Sequence, residues 1–178
     1  LIKNFFNLFG LELRRYQPQF DPTTQVYKAI KKIKTDIIFD IGANTGQFAL
    51  DIRKKGYKGK IISFEPLTTA RKKLLDNAIK DNNWIVHEKA ALGEHNGFVN
   101  LNISKNSVSS SILPMLSTHS DAENDSVYIG VEKSPLITLD SVAEFYVDQS
   151  SNYFIKIDTQ GYEWQVLNGA INTLKNSK

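Results

Sequence analysis

The run from Ile37 to Phe48 limits what this chain can fold into more than any other segment. Ile37, Ile38 and Phe39 form a short apolar stretch that reaches Asp40, breaks into a turn at Gly42–Gly46 and leads into a helical pattern. A strand, a glycine-rich turn and a helix in this order make the unit with which an α/β domain binds a nucleoside-bearing cofactor. The spacing is G-x-N-x-G, from Gly42, Asn44 and Gly46, rather than the G-x-G-x-x-G of dinucleotide binders. Asp40 stands just before the turn, where a carboxylate repels a pyrophosphate and attracts an ammonium group. The loop therefore favours a cationic cofactor that carries no phosphate.

A chain of 178 residues is long enough for one domain with a substantial core. Its net charge of +3 is small and forms no basic stripe, which argues against nucleic acid as a partner. There is no cysteine, which excludes disulfides, thiolate metal sites and cysteine nucleophiles together and fits a reducing, cytoplasmic setting. No run approaches the roughly 20 apolar residues that span a bilayer. The first residue is Leu1 rather than Met, so a native start with a signal or anchor can lie upstream. The apolar segment Leu1–Phe9 is expected to pack on its own domain or on a partner, with a small interfacial helix as the alternative.

Residues 1–35 read as an N-terminal helical extension and 36–178 as the cofactor-binding domain. Helices are expected over 1–16 and, after Pro18 and Pro22, over about 23–34, where Val26, Ile30 and Ile33 recur at helical spacing. The first strand is Ile37–Ile41. A helix starts near Gly46 and ends at Gly56, in keeping with a glycine C-cap. The second strand, Lys60–Phe64, ends at Glu65 and Pro66, and a helix follows with Leu67, Ala70, Leu74 and Ala78 as its buried stripe. The third strand is Trp84–His87, with an extension to Ala91 open. This β-α-β-α-β alternation implies an α/β fold, a doubly wound, mostly parallel sheet with right-handed crossovers.

Beyond it, Phe98–Ile103 alternates with period two and reads as an extra strand. Residues 104–127 are polar and aperiodic, and so long a loop inside a compact domain is more often functional than idle. A short strand over Leu136–Leu139, a helix from Asp140 to about Val147, a fourth parallel strand at Tyr153–Ile157 and a helix over Gly161–Leu174 complete the pattern.

Five groups of residues can carry chemistry. Gly42 and Gly46 let the backbone approach a ligand, and the helix N-terminus after Gly46 offers unpaired N–H groups to a carboxylate. A turn that uses glycine for packing alone is the bland alternative. Glu65, at the end of the second strand, can accept hydrogen bonds from both ribose hydroxyls or simply complement a helix start. Ala90 or Ala91 is small enough to leave room for an adenine ring, while His87 reads as structural. Ser110, within the serine-rich run Asn106–Ser111, either grips a ligand or belongs to a solvated loop. Asp158 ends the fourth strand at the same edge as Asp40 and Glu65, and Glu163 follows in the first turn of the next helix. The two carboxylates can orient a reacting hydroxyl or take its proton, or they can cap the helix. They offer no full ligand set for a metal, so none is expected.

The residues Phe39–Gly46 (FDIGANTG), Phe64–Pro66 (FEP), Asn106–Pro114 and Ile155–Glu163 (IKIDTQGYE) together resemble class I S-adenosylmethionine-dependent methyltransferases, and more narrowly the FkbM family. The resemblance runs from about residue 36 to 174. It implies a Rossmann-like sheet, S-adenosyl-L-methionine as cofactor, and methyl transfer to a hydroxyl of a small molecule, secondary metabolite, sugar or glycan. It places Asp40 and Gly42 at the methionine part, Glu65 at the ribose and Asp158 at the reaction edge. By the chemistry of the residues themselves, Asn44 and Gly46 complete the cofactor loop, and Asp158, Glu163 or a histidine such as His119 can assist with the acceptor's proton. The resemblance also implies three more strands after Leu174, which this sequence does not contain. One sheet edge is then open, which makes self-association plausible. The alternatives are a catalytically inactive fragment serving binding or assembly, a nicotinamide-dependent reductase, disfavoured by the G-x-N-x-G loop, and a glycan-binding module.

Overall fold

The computed structural model describes residues 21–104, 128–148 and 150–175. Its centre is a parallel sheet of four strands: β1 (Ile37–Ile41), β2 (Lys60–Phe64), β3 (Trp84–Val86) and β7 (Tyr153–Ile157), in the spatial order β3-β2-β1-β7. All five residues of β1 are buried, as expected of a strand covered on both faces. The helices are α1 (Pro22–Lys32), α2 (Gln47–Lys54), α3 (Thr68–Ala78), α4 (Glu163–Asn168) and α5 (Ile171–Lys175). The result is a Rossmann-like, doubly wound α/β fold in which β7 stands at the edge of the sheet. Among the described residues, no helix is long and apolar enough to cross a membrane.

The pleat divides the core into two layers. Ile37, Phe39 and Ile41 face one side, with Ile62, Phe64, Leu139 and Val166. Ile38 and Ile61 face the other and meet Ala49 and Ile52 of α2, Leu74 of α3, Ile30 of α1 and Trp84. Each fully enclosed Ile or Phe contributes about 2 kcal/mol through burial alone. α1 is thus part of the main core, with Pro22 at its first turn and Lys31 and Lys32 complementing its last.

A second sheet lies beside the first. It consists of β4 (Ala91–Leu92), β5 (Gly97–Ser104) and β6 (Tyr128–Ile137) in the order β4-β6-β5. β5 and β6 pair antiparallel, while β4 runs parallel to β6. Leu101 of β5 packs on Leu67 and Ala70 at the start of α3. Glu132 of β6 reaches across to the same helix start, where its Oε1 accepts from the Thr68 backbone N–H at 3.1 Å and from Lys89 Nζ at 2.5 Å. The helix lacks a cap from its own N-cap residue, Leu67, so this carboxylate supplies one from another sheet.

Four elements differ from the periodicity reading. The strand expected over Leu136–Leu139 begins at Tyr128 and ends at Ile137. The third parallel strand stops at Val86, and Ala91–Leu92 leaves to pair with Leu136 and Ile137. The stretch expected as a helix from Asp140 forms two 3₁₀ turns, Leu139–Ser141 and Ala143–Phe145. There the Thr138 hydroxyl accepts from the Ser141 N–H, and Val142 departs from helical geometry with φ −127°. The last expected helix begins at Glu163 rather than Gly161, because Gln160 and Gly161 both have positive φ. It also divides at Gly169, and Asp140 accepts from the N–H groups of Asn172 and Thr173 at 2.9 and 2.7 Å to start α5.

Burial would raise the Glu132 carboxyl, but its bonds from Lys89 and Thr68 hold it below the ordinary value. Glu132→Ala should therefore lower stability by about 1 kcal/mol at pH 7, as a lost helix cap does. The deficit should vanish in acid, because a carboxylate with a depressed folded value contributes fully above its unfolded value and loses that contribution as pH falls through the folded one. Urea unfolding of both proteins at pH 7 and pH 3 measures this; equal stability at pH 7 would leave the second sheet held by apolar packing, of Leu101 on α3 and of Leu92 and Ile137 in the main core.

Candidate functional site

The C-terminal ends of β1, β2 and β7 bring Asp40, Glu65 and Asp158 to one edge of the sheet. In an open α/β sheet this is where ligands bind. Register puts Asp40 opposite Ser63 on one side and Lys156 on the other. These three side chains therefore share a face of the sheet.

Asp40 is completely enclosed, with no solvent-accessible surface. Its Oδ1 lies 3.1 Å from Lys156 Nζ. Its Oδ2 accepts from the Ser63 hydroxyl at 3.4 Å, and Ser63 Oγ in turn accepts from the Trp84 indole N–H at 2.9 Å. Burial pushes the Asp40 carboxyl up, against the opposing pull of Lys156 and Ser63. Lys156 also donates to the Gly42 carbonyl at 3.1 Å and lies 3.7 Å from Asp158 Oδ2.

The glycine turn is tied to the end of β2. The N–H groups of Gly42 and Ala43 both donate to the Phe64 carbonyl, at 3.1 and 3.0 Å. Asn44 takes a left-handed conformation, φ 50°, which aims its N–H at Glu65 Oε2, 2.7 Å away. The other Glu65 oxygen accepts from the Leu67 N–H at 2.9 Å. Burial raises the Glu65 carboxyl despite these two bonds. Each carboxylate oxygen keeps a lone pair for a ligand hydroxyl. Gly42 is required by space as well as by its φ of +72°, since a Cβ there would lie 2.0 Å from the Asp158 carbonyl oxygen. Gly46, at φ +90°, is the N-cap of α2, and a Cβ on it would come within 2.7 Å of the Trp84 ring.

Asp158 is half exposed and accepts from Gln160 Nε2 at 3.1 Å. Glu163 turns back on its own loop, where Oε1 accepts from the N–H groups of Thr159 and Gly161, both at 3.0 Å. Burial alone would raise the Glu163 carboxyl, but these bonds bring it below its ordinary value. Ala90 is buried at the bend between β3 and β4. His87 stacks on Phe64 with ring centroids 4.9 Å apart, and its Nδ1 lies 3.0 Å from the Glu88 carbonyl. Ser110 and His119 lie outside the described residues. Among the described residues, no three His, Asp or Glu side chains gather as around a metal ion.

Lys156, Ser63 and Trp84 are the residues that motif spacing did not single out. Lys156 had a signal of its own: it is a cation inside the otherwise apolar strand Tyr153–Ile157, an arrangement that calls for a buried partner. Ser63 and Trp84 had none, because only the register joins them to Asp40.

Two consequences can be measured. Gly42→Ala should cost at least about 2 kcal/mol in urea unfolding, because its Cβ overlaps a backbone oxygen at a positive φ. Asp40→Asn tests the buried carboxyl. The folded state holds the Asp40 proton more tightly than the unfolded chain does, so this group's contribution to stability falls as pH rises from the ordinary aspartate range through the raised folded value. Wild-type stability relative to Asp40→Asn should therefore decline from pH 4 to pH 8; a constant difference would show an unshifted carboxyl.

The Methyltransferase FkbM domain profile matches residues 40–178. Methyltransferase FkbM from Methylobacillus flagellatus KT is 18% identical, with a TM-score of 0.49 over 79% of this chain and 30% of that one. A candidate RNA methyltransferase from Pyrococcus horikoshii is 15% identical, with a TM-score of 0.32 over 39% of this chain and 42% of that one. The chain thus spans less than half the length of either solved structure. No curated protein matches it. With the profile covering the glycine turn, Glu65 and the Asp158 loop, the chain belongs to the FkbM methyltransferase family.

Proposed function

We propose that this chain forms the S-adenosyl-L-methionine site of a methyltransferase acting on a hydroxyl oxygen of a sugar, glycan or secondary metabolite. The observation that carries the reading is electrostatic. Asp40, Glu65 and Asp158 converge on one strand edge, where Lys156 pairs with Asp40 and Asp158 and acts on Glu65 at longer range. A site with this negative excess favours a cationic ligand and disfavours phosphates.

The residues present fit the cofactor. Asn44 Oδ1 is buried with no partner among the described residues, which leaves an acceptor for a ligand donor. Gly46 provides no side-chain cap, so the first-turn N–H groups of α2 are suited to a carboxylate. Glu65 would accept the ribose hydroxyls through its spare lone pairs. Ala90 and Ser110 are the proposed neighbours of the adenine and the cofactor tail. When bound, S-adenosyl-L-methionine supplies an activated methyl group. Asp158, half exposed at the reaction edge, would orient the acceptor hydroxyl and receive its proton. Glu163 would act by holding the Thr159–Gly161 loop under Asp158, and His119 is the second candidate base. Alignment of acceptor and cofactor supplies most of the rate in such a site.

Calorimetric titration with S-adenosyl-L-methionine and S-adenosylhomocysteine, with NADH as control, tests this. Both sulfur compounds should bind in the micromolar range and NADH should not. Glu65→Gln should weaken binding about tenfold, or about 1.4 kcal/mol. Binding of NADH alone, or of neither sulfur compound by the folded chain, would overturn the assignment.

A further inference from the structure

We infer that Lys156 is a positioning residue of this site: its ammonium joins the glycine turn after β1 to the Asp158 loop after β7 and fixes the shape in which the turn meets a cofactor. The inference rests on the reading of the edge as a cofactor site and adds a residue to it.

The geometry is specific. An ammonium has three N–H donors. Lys156 Nζ donates to the Gly42 carbonyl at 3.1 Å and forms ion pairs with Asp40 Oδ1 at 3.1 Å and Asp158 Oδ2 at 3.7 Å. These oxygens belong to two segments far apart in sequence and to both sequence motifs of the site. The side chain is mostly buried, 18% exposed, and passes Phe48 of α2, whose ring centre lies 5.8 Å from Nζ. No ordinary core position needs a cation here. An apolar residue in β7 would pack as Phe154 does, but it would leave Asp40 buried beside Ser63 alone and the Gly42 carbonyl without its donor.

The charged groups around the ammonium are Asp40 from β1, Asp158 after β7 and, at longer range, Glu65 after β2. Lys156 lowers the proton affinity of Asp40, against burial. Its loss should thus have two linked effects: a loosened Gly42 turn, and an Asp40 that keeps its proton to higher pH. A lysine that merely adds packing would give neither.

The test uses Lys156→Gln, which keeps a polar donor without charge on a side chain one bond shorter, and Lys156→Arg, which retains charge. S-adenosylhomocysteine affinity is measured by calorimetry from pH 5.5 to 9. Asp40 is titrated without ligand by ¹³C NMR of aspartate carboxyls, assigned with Asp40→Asn. Lys156→Gln should bind at least tenfold more weakly at pH 7. The pH at which its affinity levels off should move upward, together with the Asp40 midpoint. Lys156→Arg should restore the Asp40 midpoint and only part of the affinity, because a planar guanidinium cannot meet the same three oxygens. Should Lys156→Gln not fold, Lys156→Arg carries the test through its split between midpoint and affinity. Affinity and midpoint unchanged in the variants would overturn the inference. Failure of the wild type to bind S-adenosylhomocysteine would overturn the cofactor reading instead; an unmoved Asp40 midpoint would then reject the role of Lys156 independently.

Discussion

A carboxylate with no solvent exposure sits at the end of the central strand, and the arrangement around it follows from that burial. Asp40 cannot be enclosed among Ile38, Ala43 and the α2 face without partners, because an uncompensated buried charge costs several kcal/mol. The fold supplies partners from both neighbouring strands. Ser63 comes from β2, itself held by Trp84 of β3, and Lys156 comes from β7. A single side chain thereby links all four strands of the parallel sheet. The same lysine holds the Gly42 carbonyl, so satisfying the carboxylate also shapes the turn.

Glu65 plays the matching part on the other side. It is a buried acid whose two oxygens accept one N–H from the glycine turn and one from the chain entering α3. The turn is therefore gripped from two directions, by Lys156 through a carbonyl and by Glu65 through an amide. Such support on rigid strand ends is what an oriented binding site requires. Asp158 is the acid of this group left half exposed, whereas Asp40 and Glu65 are buried.

The second sheet is docked at both ends: Leu92 and Ile137 join the main core, and the opposite part lies on the start of α3. Leu101 covers the start of α3, and Glu132 caps that helix from outside it. The ribbon's outer side leaves Phe98, Val131 and Ile129 exposed, so its packing is one-sided.

Much of the parallel sheet was legible because apolar runs, glycines and proline punctuate it sharply: Ile37–Ile41, Lys60–Phe64 and Tyr153–Ile157 stand where the pattern put them. Asp40, Glu65 and Asp158 were legible as a group because each ends such a run. The helices after Thr138 and after Gly161 were not. Their apolar spacing is helical, but Val142 and Gly169 break them where the chain must bend to accept the Asp140 cap and the close approach of Gly93. Whether the third strand extends to Ala91 was open in the sequence, since one or two apolar residues do not say which partner they will find; Ala91 pairs with β6 instead. By itself, then, the sequence determined the alternation of elements and the residue types at the strand ends, because these follow from local periodicity and turn chemistry. Tertiary structure alone decided which side chains satisfy the buried acids. That depends on register between strands far apart in the chain, and it was register that set Lys156 and Ser63 on either side of Asp40.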